Sequence, residues 1–328
     1  MTAVPSPVDP SPSAAVEVLV LGPAYCDLLF TGLEGVPALG TERFASGFLT
    51  TAGGSAITAV ALRRLGRPVA LVADLGDDPH GRVIRDVLEH EGVDLRWLRT
   101  RDDAPTPVSA VLSTTTDRAF VTHLPPRAEP PDLDAVLAAS GARHLHVGGF
   151  PAALDLPDLV ATAHRRSVTV SFDPGWDERA LRSPRVLGLA AACDLLMPSR
   201  SEAARLAGSD GLAAEAALSQ LAALRPHGTT VVKDGPRGAV GADPRVTARV
   251  ASPSVVAVDP TGAGDVFDAG FLDAWLGGAP LDACLRSGAI CGARAVTAHG
   301  GASASPTRAE LDRLLAERSE GATTREPT

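Results

Sequence analysis

From residue 132 onward the chain alternates helix and strand patterns without a break. A helix over 132–139 leads to a strand over 143–148, a helix over 155–166, a strand over 168–173, a helix over 184–191 and a strand from Leu195 to Met197. The strand runs are short and apolar throughout, as strands covered on both faces must be. Right-handed βαβ crossovers connect such a series, and they build a mostly parallel sheet with helices on both faces. Val16–Leu21, Val69–Asp74 and Thr229–Lys233 read as further strands of the same kind, and helix patterns follow Gly53-Gly54 and start again at Arg82.

Two stretches depart from this rhythm. Residues 28–51 alternate partly around Arg43 to Thr50, and residues 107–114 and 118–124 alternate on either side of Thr116-Asp117, a hairpin signal. Together they are expected to form a small antiparallel sheet, either a lid that excludes water from a site or a plain surface decoration. The expected organisation is one α/β domain over residues 15–317, with lid segments at about 28–51 and 107–124. The Pro/Ser-rich residues 1–14 and the polar residues 318–328 are expected to be disordered tails.

Asp259-Pro-Thr-Gly-Ala-Gly-Asp265 precedes a long apolar helix pattern, Val266–Leu276. Gly262, Ala263 and Gly264 are too small to shield the backbone, so the first N–H groups of that helix lie open at its positive end and favour an anion such as phosphate. A carboxylate beside such a site would repel the anion unless it had a task of its own. Proton acceptance from a hydroxyl is that task, with the amides stabilising a transferring phosphoryl group. Taken alone, these seven residues also read as an ordinary loop in which Thr261 or Asp265 caps the helix. Asp27, Asp173 and Glu202 each follow a strand pattern, where open α/β sheets place their ligands. Asp27 is equally a turn acid, and Glu202 equally a first-turn dipole partner.

The formal net charge is −9 and no Lys/Arg-dense stripe occurs, which argues against nucleic acid as a partner. Cys26, Cys193, Cys284 and Cys291 are scattered with no Cys-x-x-Cys pair, the pattern of reduced thiols rather than of a disulfide framework or a zinc site. No apolar run approaches the ~18 residues of a membrane span, and the N-terminus has no signal-peptide pattern. A cytoplasmic protein without membrane contact is expected.

These motifs, in this order, resemble the PfkB (ribokinase-like) family of sugar and nucleoside kinases over roughly residues 16–312. The likeness rests on Gly53-Gly54 opening a helix that ends in Leu65-Gly66, then Gly76-Asp77-Asp78 through Gly81, Phe172-Asp173-Pro174, Glu202, and Asp259 to Asp265 with Phe267, Ala269 and Gly270. The resemblance implies a three-layer ribokinase-like fold with a peripheral β lid. It implies Asp265 as catalytic base and Gly262, Ala263 and Gly264 as the anion hole. Asp27, Gly53, Gly54 and Thr58 would hold the acceptor, and Lys233, Gly235, Gly238, Thr261 and Ala289 the nucleotide. ATP and Mg²⁺ are the implied cofactors, with Glu202, through water, and Asp259 as candidate metal contacts, and K⁺ as a further cation. The implied partners are a small sugar or nucleoside and a second copy of the chain through the lid.

Three departures from the family pattern stand out: Ser199 replaces the Asn of Asn-x-x-Glu, Ile57-Thr58 replaces an Asn that touches the sugar, and Ala289 replaces an Asn beside the nucleotide. The expected activity is ATP-dependent phosphorylation of a hydroxyl on a small sugar or sugar derivative. A nucleoside kinase, with Phe44, Phe48, Phe120 or Phe150 stacking on a base, and a ligand-binding relative with reduced catalysis are the alternatives.

Overall fold

The computed structural model describes residues 15–114, 118–126 and 129–323, without the side chains of 319–323. Strand β1 (Val18–Leu21) is fully buried and ends at Gly22, from which β2 (Ala24–Leu33) leaves at once for a second sheet. Gly22 makes that exit sterically feasible, because a Cβ there would meet the Gly148 carbonyl oxygen at 2.1 Å. Strand β3 (Gly47–Gly54) returns antiparallel to β2 and passes directly into helix α1 (Ser55–Arg64). Then come β4 (Val69–Gly76), α2 (Pro79–His90) and β5 (Leu98–Arg101). Asp78 caps α2 by accepting from the Gly81 N–H at 2.8 Å, ahead of Pro79 in the first turn.

The hairpin of β6 (Val108–Thr114) and β7 (Arg118–His123) forms as expected, while its turn at Thr116-Asp117 lies outside the described residues. The βα series continues through α3 (Leu133–Ser140), β8 (His144–Gly148), α4 (Phe150–Asp155), α5 (Leu159–Arg165), β9 (Thr169–Asp173), α6 (Pro184–Ala192) and β10 (Leu195–Leu196). It goes on through α7 (Arg200–Leu206), α8 (Ala214–Ala223), β11 (Thr229–Lys233), β12 (Ala239–Ala242), β13 (Thr247–Val250), α9 (Ala263–Leu276), α10 (Leu281–Ala295) and α11 (Arg308–Thr323).

Nine strands form the main sheet in the order β13-β12-β11-β10-β9-β8-β1-β4-β5, all running in one direction except β12, which pairs antiparallel with both β11 and β13 near one edge. One apolar core packs α1, α2, α9 and α10 against one face, and the other packs α3 and α5 to α8 against the opposite face. Strand order reverses at β1, which pairs with β4 on one side and β8 on the other. A crevice outside the carboxyl ends of the strands at such a reversal is the ligand position of open α/β sheets.

The small sheet has the order β3-β2-β6-β7. It is mixed rather than antiparallel as expected, because β2 and β6 run parallel. The helix expected over 155–166 is α5, which starts only at Leu159 because Pro157 disfavours the α conformation of Leu156, and a separate helix not expected, α4, precedes it. Helix α11 runs to Thr323, past the expected domain end at 317, since its Ala, Glu, Leu and Arg residues are strong helix formers despite their polarity. The N-terminal residues 1–14 and the last five residues, 324–328, lie outside the described residues. No helix among the described residues is long and apolar enough to cross a membrane.

Candidate active site

Helix α9 starts at the reversal crevice, and its cap is neither Thr261 nor Asp265. Gly262 takes that position with φ +74°, a conformation that glycine alone adopts at no cost, and a Cβ would lie 2.8 Å from the Gly301 Cα. With no side-chain cap, helix geometry leaves the Gly264 N–H without an intrahelical acceptor. The Thr261 hydroxyl is buried beside it with no hydrogen-bond partner in the protein. A free amide, an orphaned hydroxyl and a helix N-terminus suit a phosphate oxygen.

Asp265 sits in the first turn of α9, and the Thr58 hydroxyl of α1 donates to its Oδ1 at 3.4 Å. Burial, and then the charge of Asp173, push its carboxyl up to about 7, while Lys233 pulls the other way. A carboxylate balanced near neutrality is suited to accept a hydroxyl proton.

Asp27 stands within lid strand β2 rather than beyond the end of a core strand, and its residue is only 6% exposed. Burial, then the charges of Asp265 and Asp259, raise it to about 7 as well. Gly53 makes room for this carboxylate, since a Cβ there would lie 2.1 Å from Asp27 Oδ2. Gly54, at φ +61°, lies under the Tyr25 ring, which a Cβ would meet at 2.6 Å. Tyr25, the single tyrosine of the chain, lies two residues before Asp27 and so on the same strand face. Burial and the charges of Asp27 and Asp265 push its phenol up to about 12. Phe30 and Phe48 pair across β2 and β3 at 5.1 Å with the parity opposite to Asp27, so Phe48 does not face the acceptor side.

Lys233 points into the protein, away from the glycine turn that follows it. Its ammonium donates to Asp173 Oδ2 at 2.7 Å and to both oxygens of Asp268 at 3.0 Å. Burial alone would lower its pKa, yet Asp173 and Asp268 carry it above the ordinary lysine range. The ammonium also borders the anion hole, 3.4 Å from where a Gly264 Cβ would stand.

The other nucleotide candidates divide. Gly235, at φ +57°, faces open space, whereas Gly238 is demanded by chain packing, because a Cβ would lie 2.0 Å from the Val250 carbonyl oxygen. Ala289 is 4% exposed and packed in the apolar core.

Both metal candidates also hold backbone N–H groups, Glu202 through one oxygen and Asp259 through both. Glu202 Oε2 accepts from the Ser199 N–H at 2.7 Å while the Glu202 N–H donates to the Ser199 hydroxyl at 3.4 Å, a capping box on α7. Ser199 thus replaces asparagine with a residue equally suited to cap a helix. Asp259 is fully buried and accepts from the N–H groups of Thr261 at 3.0 Å and Gly300 at 3.2 Å, tying the entrance of α9 to the loop before α11. Among the described residues no group of three or more His, Cys, Asp or Glu side chains is placed to hold a metal. A metal caged by side chains alone does not fit the described residues, whereas Mg²⁺ held mainly by nucleotide phosphates and water would need no such cluster.

Tyr25, Asp173 and Asp268 are the site groups that the sequence expectations left without a role. Two buried histidines share Ser171, two residues before Asp173 on β9: Ser171 Oγ lies 2.8 Å from His144 Nε2 and 2.9 Å from His146 Nδ1. Burial lowers these imidazoles to about 3 and about 4, which keeps both neutral.

Known proteins share this arrangement of sheet, lid and helix. The chain matches the pfkB family carbohydrate kinases over residues 38–308. It is 32% identical to a fructokinase of Klebsiella pneumoniae, over 91% of this chain and 99% of that one. A ribokinase of Arabidopsis thaliana, solved with ribose and ATP, superposes with a TM-score of 0.76 at 25% identity, covering 92% of this chain and 99% of that one. A crystal structure from Agrobacterium tumefaciens described as a ribokinase superposes with a TM-score of 0.82 at 23% identity over 95% of this chain and 100% of that one, a likeness of fold. The chain has the ribokinase-like fold and belongs to the pfkB family of carbohydrate kinases, phosphotransferases with an alcohol group as acceptor.

Proposed function

We propose that this enzyme moves the γ-phosphoryl group of ATP to a hydroxyl of a small sugar or sugar derivative, with Asp265 as general base. The observation that carries this reading is the position of Asp265: a half-buried carboxylate held near neutrality, one residue beyond the open Gly264 amide at the start of α9. MgATP, when bound, supplies the phosphoryl group and partly neutralises its charge. The chain's own residues supply the rest. Asp265 takes the acceptor proton, Thr58 holds the Asp265 carboxyl in place, and the Gly264 amide and Thr261 hydroxyl receive negative charge on the transferring group. Asp27 binds acceptor hydroxyls from the lid, with the Tyr25 ring beside it, and the small sheet closes over both to exclude water. Closure of that kind favours transfer to the acceptor over transfer to water.

Support comes from the family, whose relatives in hand include a fructokinase, and from the ribose and ATP bound to the Arabidopsis ribokinase. ADP release with MgATP and a panel of pentoses, hexoses, sugar acids and nucleosides tests the reading. One sugar that drives turnover confirms it. A nucleoside as the only active acceptor replaces it with the second reading, which Tyr25 favours because its ring gives a base one face to stack on. Silence across the panel, with ligands still raising the melting temperature, would leave a binding protein.

A further inference from the structure

The chain has one lysine among its 30 basic side chains, and that lysine is buried at the centre of the site. A compact ammonium suits this enclosed place, where one nitrogen donates to two carboxyl groups at once. Lys233 at the end of β11 faces Asp173 at the end of β9 and Asp268, which lies one turn beyond Gly264 and Asp265 on α9. Its ammonium therefore bears on the first turn of the helix that carries both the anion hole and the base.

The two acids are not equivalent. Asp173 Oδ1 is buried and receives no hydrogen bond from any ordinary donor, although its neighbour oxygen is well bonded to Lys233. Asp268 is fully buried beside it. A proton on Asp268, donated to Asp173 Oδ1, satisfies that orphan atom and leaves one anion for one ammonium. The ionisation tendencies agree: burial drives Asp268 far up, whereas Asp173, despite its burial, is drawn down by Lys233.

We propose that Lys233, Asp173 and Asp268 form a positioning triad for phosphoryl transfer, in which Asp268 shares one proton with Asp173 and the pinned ammonium of Lys233 fixes the anion hole and the charge of Asp265. This rests on Asp265 being the base. The groups facing Asp265 are Thr58 of α1, Asp27 and Tyr25 of β2, Asp173 of β9 and Lys233 of β11. Across α10, Cys291 faces Asp273 and Arg308 instead. Among the described residues Lys233 is the cation whose charge favours the ionised base, and its loss leaves Asp173 to repel that form.

The test follows the Asp265 carboxyl by ¹³C NMR across pH, its resonance identified by loss in Asp265→Asn. Lys233→Met should raise the titration midpoint by about one unit or more, the effect of removing a near neighbour of opposite charge. Lys233→Arg should restore it at least in part, and the acid limb of kcat/KM should move with it. Asp268→Asn should leave the midpoint in place, because a neutral amide replaces a neutral carboxyl and the charge around Asp265 does not change. An unmoved midpoint in folded Lys233→Met overturns the triad, and so does a shifted midpoint in folded Asp268→Asn. If Lys233→Met does not fold, the Asp268→Asn arm decides. The midpoint is read without turnover, so an Asp265→Asn enzyme that stays active sinks the base assignment, a separate result from an unmoved midpoint.

Discussion

Asp27 stands on a lid strand and Asp265 on a core helix, yet the charge of Asp265 is, after burial, the main cause of Asp27's rise to about 7. Two acids from separate layers thus converge on one small volume. Their ionisation opposes folding. Asp265 titrates near 3.8 when exposed and near 7 when folded, so the folded state holds its proton through the window between. Stability falls as pH rises across that window, by on the order of 4 kcal/mol for this one group. Asp265→Asn should therefore melt higher than the parent at pH 8, with the gap closing toward pH 4. Calorimetry of both proteins across pH measures this, and a mutant that melts lower at pH 8 would refute the strained-base account.

The buried imidazoles have the opposite sign. His144 and His146 are pushed down to about 3 and about 4 by burial, so the unfolded chain binds protons below about 6.5 that the folded chain refuses. Their contribution is present above pH 6.5 and fades as pH falls. Urea midpoints of His146→Gln should depend less steeply on pH between 6.5 and 5 than those of the parent. An unchanged slope would mean that His146 does not stay neutral.

Gly262→Ala should damage both fold and chemistry. The residue sits at φ +74°, and an added Cβ would crowd the Gly301 backbone at 2.8 Å. The left-handed conformation alone costs a side chain roughly 1–2 kcal/mol, and displacement of the Gly264 amide should lower kcat about 10²-fold, the loss seen when an oxyanion donor is removed. Steady-state kinetics with a parallel thermal melt checks it.

Ser199→Ala removes half of a capping box and should cost about 1 kcal/mol in stability. Because the Glu202 side chain still reaches the Ser199 N–H, turnover should change little. A loss of kcat larger than the loss of stability would return Ser199 to the chemistry.

The alternation from residue 132 onward carried the fold, since buried parallel strands announce themselves as apolar runs. Asp265 and Gly262 were legible because glycines before an apolar helix have a backbone purpose. Tyr25 was not, although two-residue spacing from Asp27 would have shown it had Ala24–Leu33 been recognised as one continuous strand. That strand leaves the core one residue after Gly22-Pro23, so the turn signal concealed it. Asp268 lay in plain view within the helix pattern, but only the tertiary approach of Lys233 gives a buried carboxyl its reason. Glu202 and Asp259 also hold backbone N–H groups, a structural task that sequence spacing alone does not reveal.

In the mechanism we propose, Asp265 accepts the acceptor's proton. This step is tested most directly by kcat of Asp265→Asn against the parent, with MgATP and the acceptor found active in the panel, on protein shown to be folded and to bind ATP. A loss on the order of 10²–10⁴-fold with ATP affinity retained is the predicted result. Turnover within a few fold of the parent would contradict it and move the search for the base to Asp27.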